Sequence, residues 1–173
     1  MFTLETERLL LRDFTLEDWE AINAIVSDPE VTRYMHFSNW DETRRREWLD
    51  WMVAYASNPQ RDAYNWALTL KSNATLIGWL GIGGSSHEEG ARSFGYALGS
   101  RSWNHGYMTK ALQTVLDYEF NVLATSRIVA ECETRNIASA RVMQKCGMTF
   151  VGTFFDQDFE GNWAERHHYT ISS

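Results

Sequence analysis

The sequence predicts a single α/β domain, one mixed sheet with helices on both faces. Seven runs carry the β-branched, aromatic and aliphatic residues of strands, and four stretches carry an apolar stripe at helical spacing. A chain of 173 residues with 44% hydrophobic content makes one domain, residues 1–173, with a substantial core. Two prolines, and no Ser/Gly-rich or charge-block tract, leave no visible linker or internal repeat.

Taken in order, Arg8–Asp13 (RLLLRD) is a first strand. Leu16–Val26 follows as a helix, with Thr15 as its cap and Asp18 three residues on. Asp41–Ala56 is a second helix with Trp48, Trp51, Met52 and Tyr55 on one face. Tyr64–Leu70 and Thr75–Gly83 pair as a hairpin around Ser72 and Asn73. Ser93–Leu98 (SFGYAL) is a strand in which Gly95 lets a ligand approach the backbone. Trp103–Leu112 (WNHGYMTKAL) reads as a strand end, a glycine turn and the opening of a helix. In that helix Met108, Leu112, Val115, Leu116, Phe120 and Leu123 recur at steps of three or four. Arg127–Glu133 (RIVAECE) alternates as a strand, with Ile128, Ala130 and Cys132 on one side. Asn136–Gly147 (NIASARVMQKCG) is a short helix opened by a capping Asn and closed by a Gly. Met148–Gln157 and Trp163–Ile171 close the chain as a hairpin through Glu160, Gly161 and Asn162.

The glycine turn carries the first functional signal. A helix opening there leaves several backbone N–H groups unpaired and aimed at one point, a ready site for phosphate. Two such helix openings, each following a strand, suggest a cofactor with a pyrophosphate and a long polar arm. Charge agrees. The formal net charge is −7, yet residues 99–147 hold six Lys/Arg against four acids, a net +2 where an anionic cofactor would lie. The acidic remainder suits a cationic amine.

Several classes drop out. The acidic balance argues against direct nucleic-acid binding. No apolar run approaches the roughly 18 residues of a membrane span, and MFTLETERLL lacks the pattern of a signal peptide. Cys132 and Cys146 read as reduced thiols of a cytoplasmic protein. No metal is expected: His87-Glu88-Glu89 lacks the second His of a zinc helix, and His167 and His168 point to opposite faces of a strand. Cys146, just before the closing Gly, reads as packed rather than nucleophilic, so no acyl-cysteine step is expected.

The residues also carry a resemblance. The chain is similar to GNAT-superfamily N-acetyltransferases, in the ribosomal-protein-alanine (RimJ/RimL-type) branch. The likeness runs through ETERLLLRDFTLEDWEAI, SDPEVTRYM, LIGWLGIGG, FGYALGSRSWNHGYMTKAL, NIASARVMQKCGMTFVGTF and GNWAERHHYTI, in the family's order. It implies a mostly antiparallel seven-stranded sheet whose fourth and fifth strands splay to admit acetyl-CoA. It implies direct transfer, in a ternary complex, to an amine acceptor. The acceptor expected from the branch is a protein or peptide N-terminal amine. The alternatives are a small-molecule amine (polyamine, amino acid or aminoglycoside) or a non-catalytic acyl-CoA sensor, and the protein would act as a monomer or homodimer.

The resemblance assigns roles residue by residue. Backbone groups of Tyr96, Ala97 and Leu98 would polarise the thioester carbonyl. The turn formed by Trp103, Asn104, His105, Gly106, Tyr107, Met108, Thr109 and Lys110 would hold the pyrophosphate, and Arg141 and Lys145 belong to the same basic cofactor set. Asn136 would bond the pantetheine arm, with Ser139 near the sulfur. Many family members place a proton-donating Tyr seven residues after this Asn; here Met143 stands there, so Ser139 is expected to act as general acid. Asn104 replaces a usual Gly, which Asn tolerates in a left-handed turn. Lys110 replaces a usual Glu. An α-amine, with pKa near 8, is roughly 10% neutral at pH 7, whereas a lysine is about 0.04% neutral. An α-amine therefore needs little from a base, for which Asp158 and Glu133 are the candidates. Trp40, Trp48 and Trp51 are candidates for the acceptor wall, the last two being better suited to the core.

Overall fold

The chain runs through β1 (Thr3–Glu5), β2 (Leu9–Asp13), α1 (Trp19–Val26), α2 (Pro29–Thr32), α3 (Glu42–Ala56), β3 (Tyr64–Leu70) and β4 (Leu76–Gly84). It continues through β5 (Arg92–Leu98), α4 (Tyr107–Asn121), β6 (Arg127–Glu133), α5 (Ile137–Lys145), β7 (Thr149–Gln157) and β8 (Trp163–Ser172). These elements come from a computed structural model that describes residues 2–157 and 161–173. The strands form one sheet in the order β1-β2-β3-β4-β5-β6-β8-β7. Neighbours are antiparallel except β5 and β6. This is the expected mixed, mostly antiparallel architecture, to which the structure adds the short β1 and the one-turn α2.

Alternation along β3 shows how one sheet divides two cores. Trp66 and Leu68 face α4 together with Leu9, Leu11 and Leu80. Ala67 faces the other way, toward Ile22 of α1 and Leu49 and Met52 of α3. The stripe on α4 is buried as its spacing predicts, through Met108, Leu112, Val115 and Leu116. Each such side chain contributes about 1.5–3 kcal/mol of transfer free energy. A third core forms under α5, where Met143 meets Ala130, Cys132, Met148 and Tyr169. On α3 the buried face differs from the expected one. Leu49 and Met52 are buried, whereas Trp51 stacks on Tyr55 on the outer side and is half exposed.

Position in the sheet is fixed by ionic contacts as well as packing. At the start of β5, Arg92 Nε lies 2.7 Å from Glu119 Oε2 of α4, a fully buried carboxylate that also accepts from Thr125 Oγ1 at 2.6 Å. Near α1, Asp18 accepts both arms of Arg12, at 2.7 and 2.6 Å, and the Thr15 N–H at 2.8 Å. Burial alone would raise the Asp18 carboxyl, but Arg12 and Thr15 outweigh it and hold the group below the usual carboxylate range. A carboxyl lowered in the fold contributes stability that is fully present above its unfolded value of about 3.9 and is lost as pH falls toward the folded value. Asp18→Asn is therefore expected to reduce stability by about 1–3 kcal/mol at pH 7 in urea unfolding. The gap between variant and wild type should narrow as the pH is taken below about 4.

Candidate active site

β5 and β6 pair only at Arg92 with Ile128 and Ser93 with Val129. Beyond these positions they part, β5 following β4 to Leu98 and β6 following β8 to Glu133. From Phe94 onward the β6-facing edge of β5 thus has no strand beside it among the described residues. Gly95 leaves part of this stretch bare, and a Cβ there would sit 3.3 Å from the Trp79 ring.

Two clefts meet at the parting. The first, about 510 Å³, is lined by Tyr96, Cys132, Glu133, Asn136 and Ser139, with Tyr34 and Trp163 at its outer side. The second, about 410 Å³, is lined by Trp51, Asn65, Ser85 and His87. Trp79, Phe94, Gly95, Glu131 and Arg166 line both. The splayed strands therefore border two adjoining clefts that share these walls.

In the first cleft the structure joins three of the expected residues. Asn136 caps α5, its Oδ1 accepting the Ser139 N–H at 3.1 Å. Ser139 Oγ lies 2.8 Å from the Tyr96 hydroxyl, which also donates to the Ser139 carbonyl at 3.3 Å. The phenol thus spans the opening from β5 to α5. Burial pushes the Tyr96 phenol well above its ordinary value, against a smaller downward pull from Ser139, so it stays protonated. The position expected for a phenol on α5 is occupied by Met143, which is buried. A phenol comes instead from β5.

The turn before α4 takes its expected form. Asn104 has φ +62° and Gly106 has φ +75°, and Gly106 caps the helix without a side chain. The first α4 amides therefore have no side-chain cap, as an anion site needs. The turn is held from two directions. Trp103 Nε1 donates to the Leu98 carbonyl at 2.8 Å, and Arg8 Nη2 donates to the His105 carbonyl at 2.8 Å. Arg8 also lies 4.6 Å over the Tyr107 ring, on which His105 stacks. The Met108 side chain is in the core, so its contribution to the turn is its backbone. The same holds for Ala97 and Leu98, whose side chains pack into the cores on opposite faces of β5. Lys110, Arg141 and Lys145 are exposed. Thr109 and Lys145 accept through their carbonyls from Cys146 Sγ and Gln113, joining α4 to α5.

Of the two expected bases, Glu133 lines the first cleft but is engaged by Arg135 at 2.7 Å. Asp158 lies outside the described residues. The structure instead brings Glu131 into both clefts, with His168 Nδ1 at 3.5 Å and His87 Nε2 at 3.9 Å. His87, Glu131 and Asp156 place ligand atoms within 4.8 Å of one another, a set able to hold a cation, including a protonated amine. Alternation in RIVAECE puts Glu131 and Glu133 opposite Ile128, Ala130 and Cys132, which was the available signal for Glu131. Arg8 and Arg166 had none beyond their charge. Trp51 lines the second cleft, whereas Trp40 and Trp48 pack on the α3 core. Burial raises both thiols, Cys132 and Cys146, to about 11. They are protonated at neutral pH and poor nucleophiles.

A family model described as the acetyltransferase (GNAT) domain matches residues 8–149. The chain belongs to the GNAT acetyltransferase family. This acetyltransferase is 30% identical over 169 residues to the uncharacterised N-acetyltransferase YnaD of Bacillus subtilis (strain 168), covering 97% of this chain and 95% of the relative. A solved GNAT-family acetyltransferase from Bacillus anthracis is 28% identical, with TM-score 0.84, covering 99% of this chain and 98% of the other. A solved RimL ribosomal L7/L12 α-N-protein acetyltransferase, in complex with coenzyme A, shares the fold at 16% identity, with TM-score 0.83 over 99% of this chain and 98% of the other.

Proposed function

We propose that this enzyme moves the acetyl group of acetyl-CoA directly to a primary α-amine in a ternary complex. The observation that supports the reading is a hydroxyl pair, Tyr96 and Ser139, in the first cleft, with the carboxylate Glu131 lining both clefts beside the strand gap. Acetyl-CoA supplies an activated acyl carbon with a thiol leaving group. The free edge of β5 offers its backbone donors to the acyl oxygen. Glu131 receives the proton of the attacking nitrogen, and Ser139, backed by the Tyr96 phenol, returns a proton to the departing sulfur. The α-amine class includes the protein N terminus named for the RimL structure as well as free amino acids. Buried, unbridged thiols suit a reducing, cytoplasmic setting.

The turn at Gly106, with Asn104, His105 and the first amides of α4, holds the pyrophosphate in this reading. An L side chain at φ +75° costs about 1 kcal/mol, although a Cβ there would find nothing nearer than Arg8 Nη2 at 3.9 Å. Gly106→Ala is expected to raise the calorimetric Kd for acetyl-CoA about fivefold. Thiol release from acetyl-CoA, followed with peptides, amino acids and small polyamines, tests the function itself. Acceptor-dependent release supports transfer; tight acetyl-CoA binding with no acceptor-dependent release would make the protein a sensor.

A further inference from the structure

Most half-buried arginines on this chain have a carboxylate partner, and Arg45 is satisfied instead by Asn23 Oδ1 and the Trp40 carbonyl. Arg12 has Asp18, Arg61 has Asp13, Arg92 has Glu119 and Arg127 has Glu88. Arg166 differs. It stands on β8 opposite Glu133 of β6, lines both clefts, and forms no ion pair among the described residues. Its Nε is buried without a hydrogen-bond partner. Of the carboxylates nearby, Glu133 turns to Arg135, and Glu131 faces His168 and His87 in a cluster with Asp156. A buried guanidinium N–H without an acceptor is costly, and the planar fork matches a carboxylate. Two opposite charges, Arg166 and Glu131, thus line the same two clefts without pairing with each other.

We infer that the acceptor carries its own carboxylate: a free α-amino acid, whose carboxylate Arg166 holds while its amine faces Glu131. The inference rests on the transferase reading above and narrows its acceptor class. Glu131 and Glu133 favour a monoanionic carboxylate over a phosphate dianion, which they would repel more strongly. A cleft of about 410 Å³ accommodates an amino acid.

The test compares free amino acids with their C-terminal amides, and with dipeptides bearing an acidic or neutral second residue, at saturating acetyl-CoA. Wild type is expected to prefer the free acid over the amide by about 10- to 100-fold in kcat/KM, mostly through KM. Arg166→Gln should erase that ratio and Arg166→Lys should keep part of it. Equal use of acid and amide overturns the inference, as does a ratio that survives Arg166→Gln or a preference confined to peptides. Calorimetry of the same acids and amides against the protein with coenzyme A reads the anchor independently of turnover. Tighter binding of the acid, lost in Arg166→Gln, supports it, and equal binding overturns it. Absence of transfer to every amine would fail the transferase reading alone, while the binding comparison still decides the anchor.

Discussion

Ser139→Ala is expected to lower kcat about 100- to 1,000-fold while leaving the Kd for acetyl-CoA within about threefold of wild type. The expectation follows from where the hydroxyl sits. Ser139 Oγ is held at 2.8 Å by a phenol that burial keeps protonated, and its own N–H is fixed by the Asn136 cap. Removing Oγ leaves the cap and the α5 backbone intact, so cofactor contacts made by backbone and by Asn136 persist. What is lost is the group that returns a proton to the departing sulfur. Tyr96→Phe should reproduce a large part of the kcat loss, because Ser139 then has no proton source behind it. Single-turnover kinetics beside calorimetric titration separate the two quantities. A weakened Kd with unchanged kcat in Ser139→Ala would make the hydroxyl a binding group.

Glu131→Gln is expected to reduce kcat/KM at pH 7 by about 10-fold, and the defect should shrink as pH rises. The sign follows from the acceptor. A peptide α-amine with pKa near 8 is mostly protonated at pH 7, and the amine of a free amino acid, beside its own carboxylate, is more basic still, so raising the pH toward 9 supplies the free base that Glu131 otherwise generates. Glu131 lines both clefts, and the substitution preserves its volume. A pH–rate profile of the variant checks this directly. A defect of constant size from pH 7 to 9 would assign Glu131 a purely structural part. Glu133→Gln is expected to have the smaller effect, because that carboxylate is already paired with Arg135.

Much of the fold was legible because its signals are local. The RLLLRD strand, the capping box at Thr15 and Asp18, the α4 stripe and the Asn136 cap each depend on residues a few positions apart. β1 was not, since three residues gain strand character only by pairing with β2. The α3 face was misjudged because Trp51 is large and apolar, yet Leu49 lies deeper, and a stacked Trp51–Tyr55 pair is content at the surface. At the site, the turn and the Asn136–Ser139 pair were readable from spacing and family likeness. The Tyr96–Ser139 contact links residues 43 positions apart, and Arg8 reaches the turn across 97. Such contacts are set by topology. The same is true of Arg166, which acquires its significance from the parting of two strands to which it does not belong.

The parted pair β5 and β6 is what the acetyl-transfer reading depends on most, and a crystal structure with acetyl-CoA tests it directly. The acyl arm should lie against the free edge of β5, its sulfur beside Ser139 Oγ and its acetyl group at the clefts lined by Glu131. Binding elsewhere, or a ladder between β5 and β6 that continues past Ser93 and Val129 and shuts the gap, would contradict it.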